Sequence, residues 1–149
     1  MGRQDKPDDD GYWVVVVKKP SPPPIVIWAV SDGRAGIEAQ AVGLAEAVAR
    51  QRKATVVVKR IGWTGRVGRL PWWLNLFPRK WLTPESEFEA PWPDLVVAAG
   101  RATLPLSIRL RRWTGGKTYV VQIQDPRAPA KLFDLVVPPN HDRLKGDNI

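Results

Sequence analysis

Two apolar runs that each stop at a glycine-bearing turn constrain this chain more than any other feature. The first, Ile25-Val26-Ile27-Trp28-Ala29-Val30, runs into Ser31-Asp32-Gly33-Arg34-Ala35-Gly36. The second, Asp94-Leu95-Val96-Val97-Ala98-Ala99, runs into Gly100-Arg101-Ala102-Thr103. A continuous apolar run bounded by breakers is the pattern of a strand covered on both faces. A helical pattern follows each turn. Ile37, Ala41, Leu44, Ala45 and Val48 share one face of a helix expected over 36–51, with Gly43 and the alanines letting it lie close to a sheet. Thr103 as N-cap and Pro105 in the first turn predict a second helix to about Trp113, closed by Gly115-Gly116.

Further strands are expected over 54–58, 117–122 and 133–137. Strands alternating with helices define the α/β class: a Rossmann-like, mostly parallel sheet with helices on both faces. The carboxyl ends of parallel strands share one edge, which is where such sheets bind ligands. A length of 149 residues suits one domain. We assign it to 25–149, after a tail over 1–11, an extra strand over 12–17 and a stiff Pro-rich linker before Ile25. Cysteine is absent, which excludes disulfides and thiolate–metal sites. The charged first ten residues do not read as a signal peptide, and no apolar run is long enough to span a bilayer. A cytoplasmic chain is the expectation.

The net charge of +8 is unevenly spread. Between Glu46 and Glu85 there are nine basic residues and no acidic one. Such a field attracts phosphorylated ligands, anionic lipid or nucleic acid. Within it, 61–92 breaks the alternation of strand and helix, with five tryptophans, four prolines and no clear period. An excursion of this length inside a domain is usually functional. One short helix is expected around 71–77. Arg66, Arg69, Trp72 and Trp73 interleave base and tryptophan in a manner suited to a membrane interface or a lipid acceptor. Packing on the core or on a second domain is an equal reading, and nucleic acid is disfavoured beside both.

The glycine turns carry the chemistry. Gly33 and Gly36 admit close backbone approach, and the helix start offers free N–H groups and a positive dipole end. Arg34 adds a bidentate phosphate donor. The segment is neither the dinucleotide G-x-G-x-x-G nor a P-loop. Gly100, Arg101 and Thr103 repeat the arrangement at the second turn, so the pair points to a phosphate-bearing anion. Gln122, Gln124, Asp125 and Arg127 stand at the next strand end, where Asp125 suits a base, although Asp-Pro is also an ordinary turn pair. His141, the only histidine, precedes Asp142 in what spacing alone reads as a surface turn. No metal and no cofactor are expected.

Four ordered motifs resemble one family. They are Val30-Ser31-Asp32-Gly33-Arg34-Ala35-Gly36 with Gly43-Leu44-Ala45-Glu46-Ala47; Pro93-Asp94-Leu95-Val96-Val97-Ala98-Ala99-Gly100-Arg101; Val121-Gln122-Ile123-Gln124-Asp125-Pro126-Arg127; and Phe133-Asp134-Leu135-Val136-Val137-Pro138 with His141-Asp142. Together they resemble the ELM1-like group, named for a plant mitochondrial-fission factor, whose bacterial members are described as glycosyltransferases. The resemblance runs from about Ile25 to Ile149. It implies a GT-B architecture, two Rossmann-type domains around a cleft, with this chain as the N-terminal, acceptor-side half and the C-terminal half absent. It implies a nucleotide-diphosphate sugar as donor, a lipid or glycan acceptor at the inner face of a membrane, and no bound metal. Asp32, Asp125 and His141 are then the base candidates, with no order among them. A non-catalytic module that recruits a partner to a membrane is the alternative. An older epimerase label fits poorly, because neither Tyr12 nor Tyr119 has lysine four residues later.

Overall fold

The two glycine-terminated runs lie side by side. In the computed structural model, which describes residues 2–7, 13–17, 20, 22–124, 126–138 and 148, they form β3 (Ile25–Ser31) and β5 (Leu95–Ala99) of one parallel sheet. β4 (Ala54–Arg60) borders β3 on its other side, and β6 (Tyr119–Ile123) and β7 (Leu135–Val137) continue beyond β5. All pairings are parallel and the order is β4-β3-β5-β6-β7. Two helices, α1 (Ala35–Gln51) and α2 (Leu104–Trp113), supply the crossovers β3–α1–β4 and β5–α2–β6. The chain runs outward from β3 to β4, then returns to the opposite side of β3 with β5. The architecture is Rossmann-like, with its topological switch point between β3 and β5.

Alternation along each strand builds two apolar layers. Ile27, Ala29, Val97, Ala99 and Val121 face α1, whose Ala41 and Ala45 are fully buried. The close approach expected of Gly43 falls to these alanines instead, since Gly43 is exposed. Trp28, Val30, Val96, Ala98 and Val120 face the other way, onto Leu104, Leu106 and Leu110 of α2, and onto Ile61 and Phe88 from the excursion. The excursion thus covers much of one face with tryptophan. Trp28, Phe88 and Trp92 stand 5.4–6.0 Å apart between ring centroids, and Trp92 stacks on Trp113 at 6.0 Å.

The repeated Asp-Leu-Val-Val has a physical account. Asp94 accepts the Val26 N–H at 2.8 Å and Asp134 accepts the Val120 N–H at 2.7 Å. In each case the aspartate N–H donates to the carbonyl of that same residue. The aspartate therefore fixes where a strand enters the sheet, and with it the register of every side chain beyond.

Three local expectations are corrected. The 71–77 helix is absent: short 3-10 turns form at Val67–Arg69 and Pro78–Trp81, with ordinary turns between. Pro78 disfavours helical backbone at the residue before it, and Phe77 takes φ −127° and ψ 62°. A strand β2 (Trp13–Val17) forms as expected, but it pairs antiparallel with β1 (Gly2–Pro7), where a tail was anticipated. Finally, a 3-10 turn at Arg101–Thr103 separates β5 from α2, and Thr103 does not cap the helix with its side chain.

Candidate anion-binding site at the switch point

Every turn leaving the carboxyl edge of the three central strands contains a residue in the left-handed half of backbone space. Gly33 follows β3 with φ 84° and Gly100 follows β5 with φ 85°. After β6 the residues are Gln124 at φ 75° and Arg127 at φ 47°, neither of them glycine. Such conformations cost free energy and cluster at functional sites. They turn the chain sharply, which leaves the strand ends open. The 67–73 segment of the excursion arches over that edge.

The result is a cavity of about 610 Å3, within the range of small-molecule sites. Among the described residues, four arginines line it, Arg34, Arg69, Arg101 and Arg127, against one carboxylate, Asp32. The opposite wall is apolar, with Trp63, Leu70, Trp72 and Trp73. Asp32 is already paired: Arg34 Nε lies 2.7 Å from Asp32 Oδ2. Arg69 and Arg101 form no ion pair among the described residues. A concave surface with this excess of guanidinium favours an anion.

The structure sorts the expected site residues. Asp32, Arg34, Arg69, Trp72, Trp73 and Arg101 come together on the cavity wall, contributed by the turns after β3 and β5 and by the excursion. Gly33 and Gly100 shape the turns beneath them. Arg66 is exposed and lies outside the lining. Gly36 sits in the first turn of α1, and a Cβ there would meet nothing within 4 Å, so no internal contact demands glycine. The amides expected to be free after β3 are partly occupied: Gly33 N–H donates to Ser31 Oγ at 3.1 Å and Arg34 N–H to Asp32 Oδ1 at 3.2 Å. Thr103 is a correction. It is fully buried, and its hydroxyl donates to the Gly100 carbonyl at 2.8 Å, so it braces the turn from inside and does not reach a ligand. Asp125 and His141 lie outside the described residues.

Two further residues take part. Trp63 donates its indole N–H to the Ala102 carbonyl at 3.0 Å, which ties the excursion to the turn after β5. Gly68 packs against it, since a Cβ there would lie 3.1 Å from the Trp63 ring. Gln122 was noted only as a strand-end residue. It is buried and joins β6 to that same turn: its Nε2 donates to the Gly100 carbonyl at 3.3 Å while its Oε1 accepts from Ser107 of α2 at 3.0 Å.

Behind the first turn, Arg60 at the end of β4 donates to Glu38 of α1 through Nε at 2.6 Å and Nη2 at 2.8 Å. The Arg60 hydrogen bond holds the Glu38 carboxyl below its ordinary 4.5. A carboxylate lowered in the folded state adds stability above its unfolded value, and that stability is lost as pH falls through the folded one. Glu38→Gln should therefore flatten the decline of melting temperature on acidification from pH 7 to pH 3. Parallel acid titrations of wild type and variant, followed by circular dichroism, check this. Superimposable profiles would remove the pair from the acid response.

The chain is a Rossmann-like α/β domain with an arginine-lined cavity at its switch point. Comparison with known proteins gives the particular group. The sequence model described as "Mitochondrial fission ELM1" matches residues 35–149, and the chain belongs to that family. It is 40% identical over 55 residues to the mitochondrial fission protein ELM1 of Arabidopsis thaliana, covering 37% of this chain and 13% of that protein. It is 29% identical over 120 residues to the uncharacterized protein RP120 of Rickettsia prowazekii (strain Madrid E), covering 78% of this chain and 32% of that one. The chain thus spans about a third or less of the length of these curated relatives. No solved structure matches it.

Proposed function

We propose that this domain binds a phosphate-bearing ligand in the switch-point cavity, as the acceptor-side half of a GT-B-like transferase that uses a nucleotide-diphosphate sugar. One observation carries the reading: among the described residues, four arginines line a cavity whose one carboxylate is held by one of them. A diphosphate satisfies such a set with charge-assisted, bidentate hydrogen bonds. In transfer, the same guanidiniums would stabilise charge developing on the leaving diphosphate. A base on this half would deprotonate the acceptor hydroxyl, and Asp125 and His141 remain candidates for that role. Asp32 serves the role less well while Arg34 engages it. That engagement favours a second reading, a module that binds its ligand without transfer and recruits a partner.

Calorimetric titration with pyrophosphate, uridine diphosphate and a panel of nucleotide sugars tests the reading. Binding should weaken as salt rises, because surface charges are screened. Arg101→Ala should weaken it by roughly tenfold or more, the value of one charge-assisted hydrogen bond. Heat signals that are absent for every phosphate ligand, or that ignore Arg101→Ala, would overturn it. Sugar transfer by the longest natural form of the chain then separates catalyst from module.

A further inference from the structure

Exposed large apolar side chains on this domain are concentrated in one stretch. Among the described residues, Leu70, Trp73, Leu74, Leu76, Phe77 and Trp81 are exposed within twelve positions, whereas Val26, Val58 and Tyr119 are scattered. Leu76 is 65% and Phe77 63% accessible, between the two 3-10 segments and directly before the second. Isolated exposed apolar residues need no explanation, but six within one short segment, the 70–81 ridge, mark an interaction surface. The surroundings name the partner. No acidic residue occurs from 47 to 84, and Arg66, Arg69 and Lys80 form no ion pair among the described residues. Lys80 Nζ lies 5.4 Å over the Phe77 ring, so charge and apolar surface are interleaved.

We propose that the 70–81 ridge docks on an anionic lipid bilayer, with Leu74, Leu76 and Phe77 entering the acyl boundary. Tryptophans 73 and 81 sit at headgroup level, where an amphipathic ring is favoured. The cations meet anionic headgroups, each adding attraction that salt screens. An acidic protein surface would match the charge but would not need the exposed apolar side chains. Arg69, Leu70 and Trp73 also line the cavity, so docking brings its mouth to the lipid surface. The proposal stands independently of what the cavity binds.

Flotation of the intact chain with ligand-free vesicles tests it. The chain should float with mixed phosphatidylcholine–phosphatidylglycerol vesicles, much less with phosphatidylcholine alone, and be released by salt. The double substitution Leu76→Asp and Phe77→Asp should lower partitioning at least about tenfold, and Arg66→Gln or Lys80→Gln about fivefold each. None of these residues lines the cavity, so pyrophosphate binding and the thermal transition should be unchanged, which separates a ridge effect from misfolding and from failure of the ligand reading. Equal flotation of the double variant, or none of wild type on anionic vesicles, would overturn the proposal. So would a wild-type dimer in sedimentation that the double variant dissociates, since the ridge would then pair two copies of the chain.

Discussion

Replacing Gly100 with valine is expected to cost about 4 kcal/mol of folding stability, a large part of the 5–15 kcal/mol that holds a typical domain together. Two independent terms add. Gly100 has φ 85° and ψ 156°, a combination essentially confined to glycine, so any side chain incurs about 1–3 kcal/mol of backbone strain. A Cβ there would also lie 3.0 Å from Ile37 Cγ2 of α1, and valine's extra methyls would force the helix away from the edge of β5. The terms separate by design. Gly100→Ala in an Ile37→Ala background keeps the strain and removes the clash, so Gly100→Ala should cost less there than in wild type. Gly36→Ala provides the contrast, with open space and helical backbone. It should gain about 0.5–1 kcal/mol. Urea melts of the five variants, Ile37→Ala alone among them, check the set. A Gly100→Val protein as stable as wild type would mean that the turn is not held as described.

Local and non-local causes divide the fold in the same way. β3, α1, β4, β5 and α2 were legible because each rests on a periodic or continuous apolar pattern bounded by breakers, and that pattern is the cause of the element. Gly33, Arg34, Gly100 and Arg101 were legible as a group because parallel strands share a carboxyl edge. The excursion was not legible, since no period governs it. Its path is set by single contacts between distant residues: Trp63 on Ala102, Phe88 and Trp92 on Trp28, and Arg79 over Trp92 and Trp113. Arg69, Trp72 and Trp73 were accordingly read as a possible surface contact, whereas the chain's return brings them over the switch point as one wall of the cavity. Thr103 was misread because the 3-10 turn before α2 rotates its hydroxyl inward. The one legible hint of the inner brace was Gln122 itself, a polar residue within Val120-Val121-Gln122-Ile123. A buried amide requires partners, and the Gly100 turn and α2 provide them.

That brace gives the second large effect. Gln122→Glu conserves shape but replaces the Nε2 donor, 3.3 Å from the Gly100 carbonyl, with an oxygen. At neutral pH it buries a carboxylate that is 1% exposed and faces a carbonyl it cannot bond. An unpaired buried charge of this kind costs about 3–5 kcal/mol. The introduced carboxyl therefore has its folded pKa raised by burial and by the facing oxygen. Its penalty grows as pH rises above the unfolded glutamate value of about 4.3 and fades below it, where a protonated oxygen again donates to Gly100. Gln122→Met removes the hydrogen bonds without adding charge and should cost only about 1–2 kcal/mol at any pH. Denaturation of the two variants at pH 7 and pH 4.5, each against wild type at the same pH, decides the matter. The glutamate variant should recover most of its deficit at the lower pH and the methionine variant none. Equal, pH-independent losses would mean that Gln122 merely fills space. Because the tether ends on the turn that presents Arg101, the glutamate variant should also bind pyrophosphate more weakly at pH 7 than at pH 4.5, relative to wild type, under conditions where it remains folded.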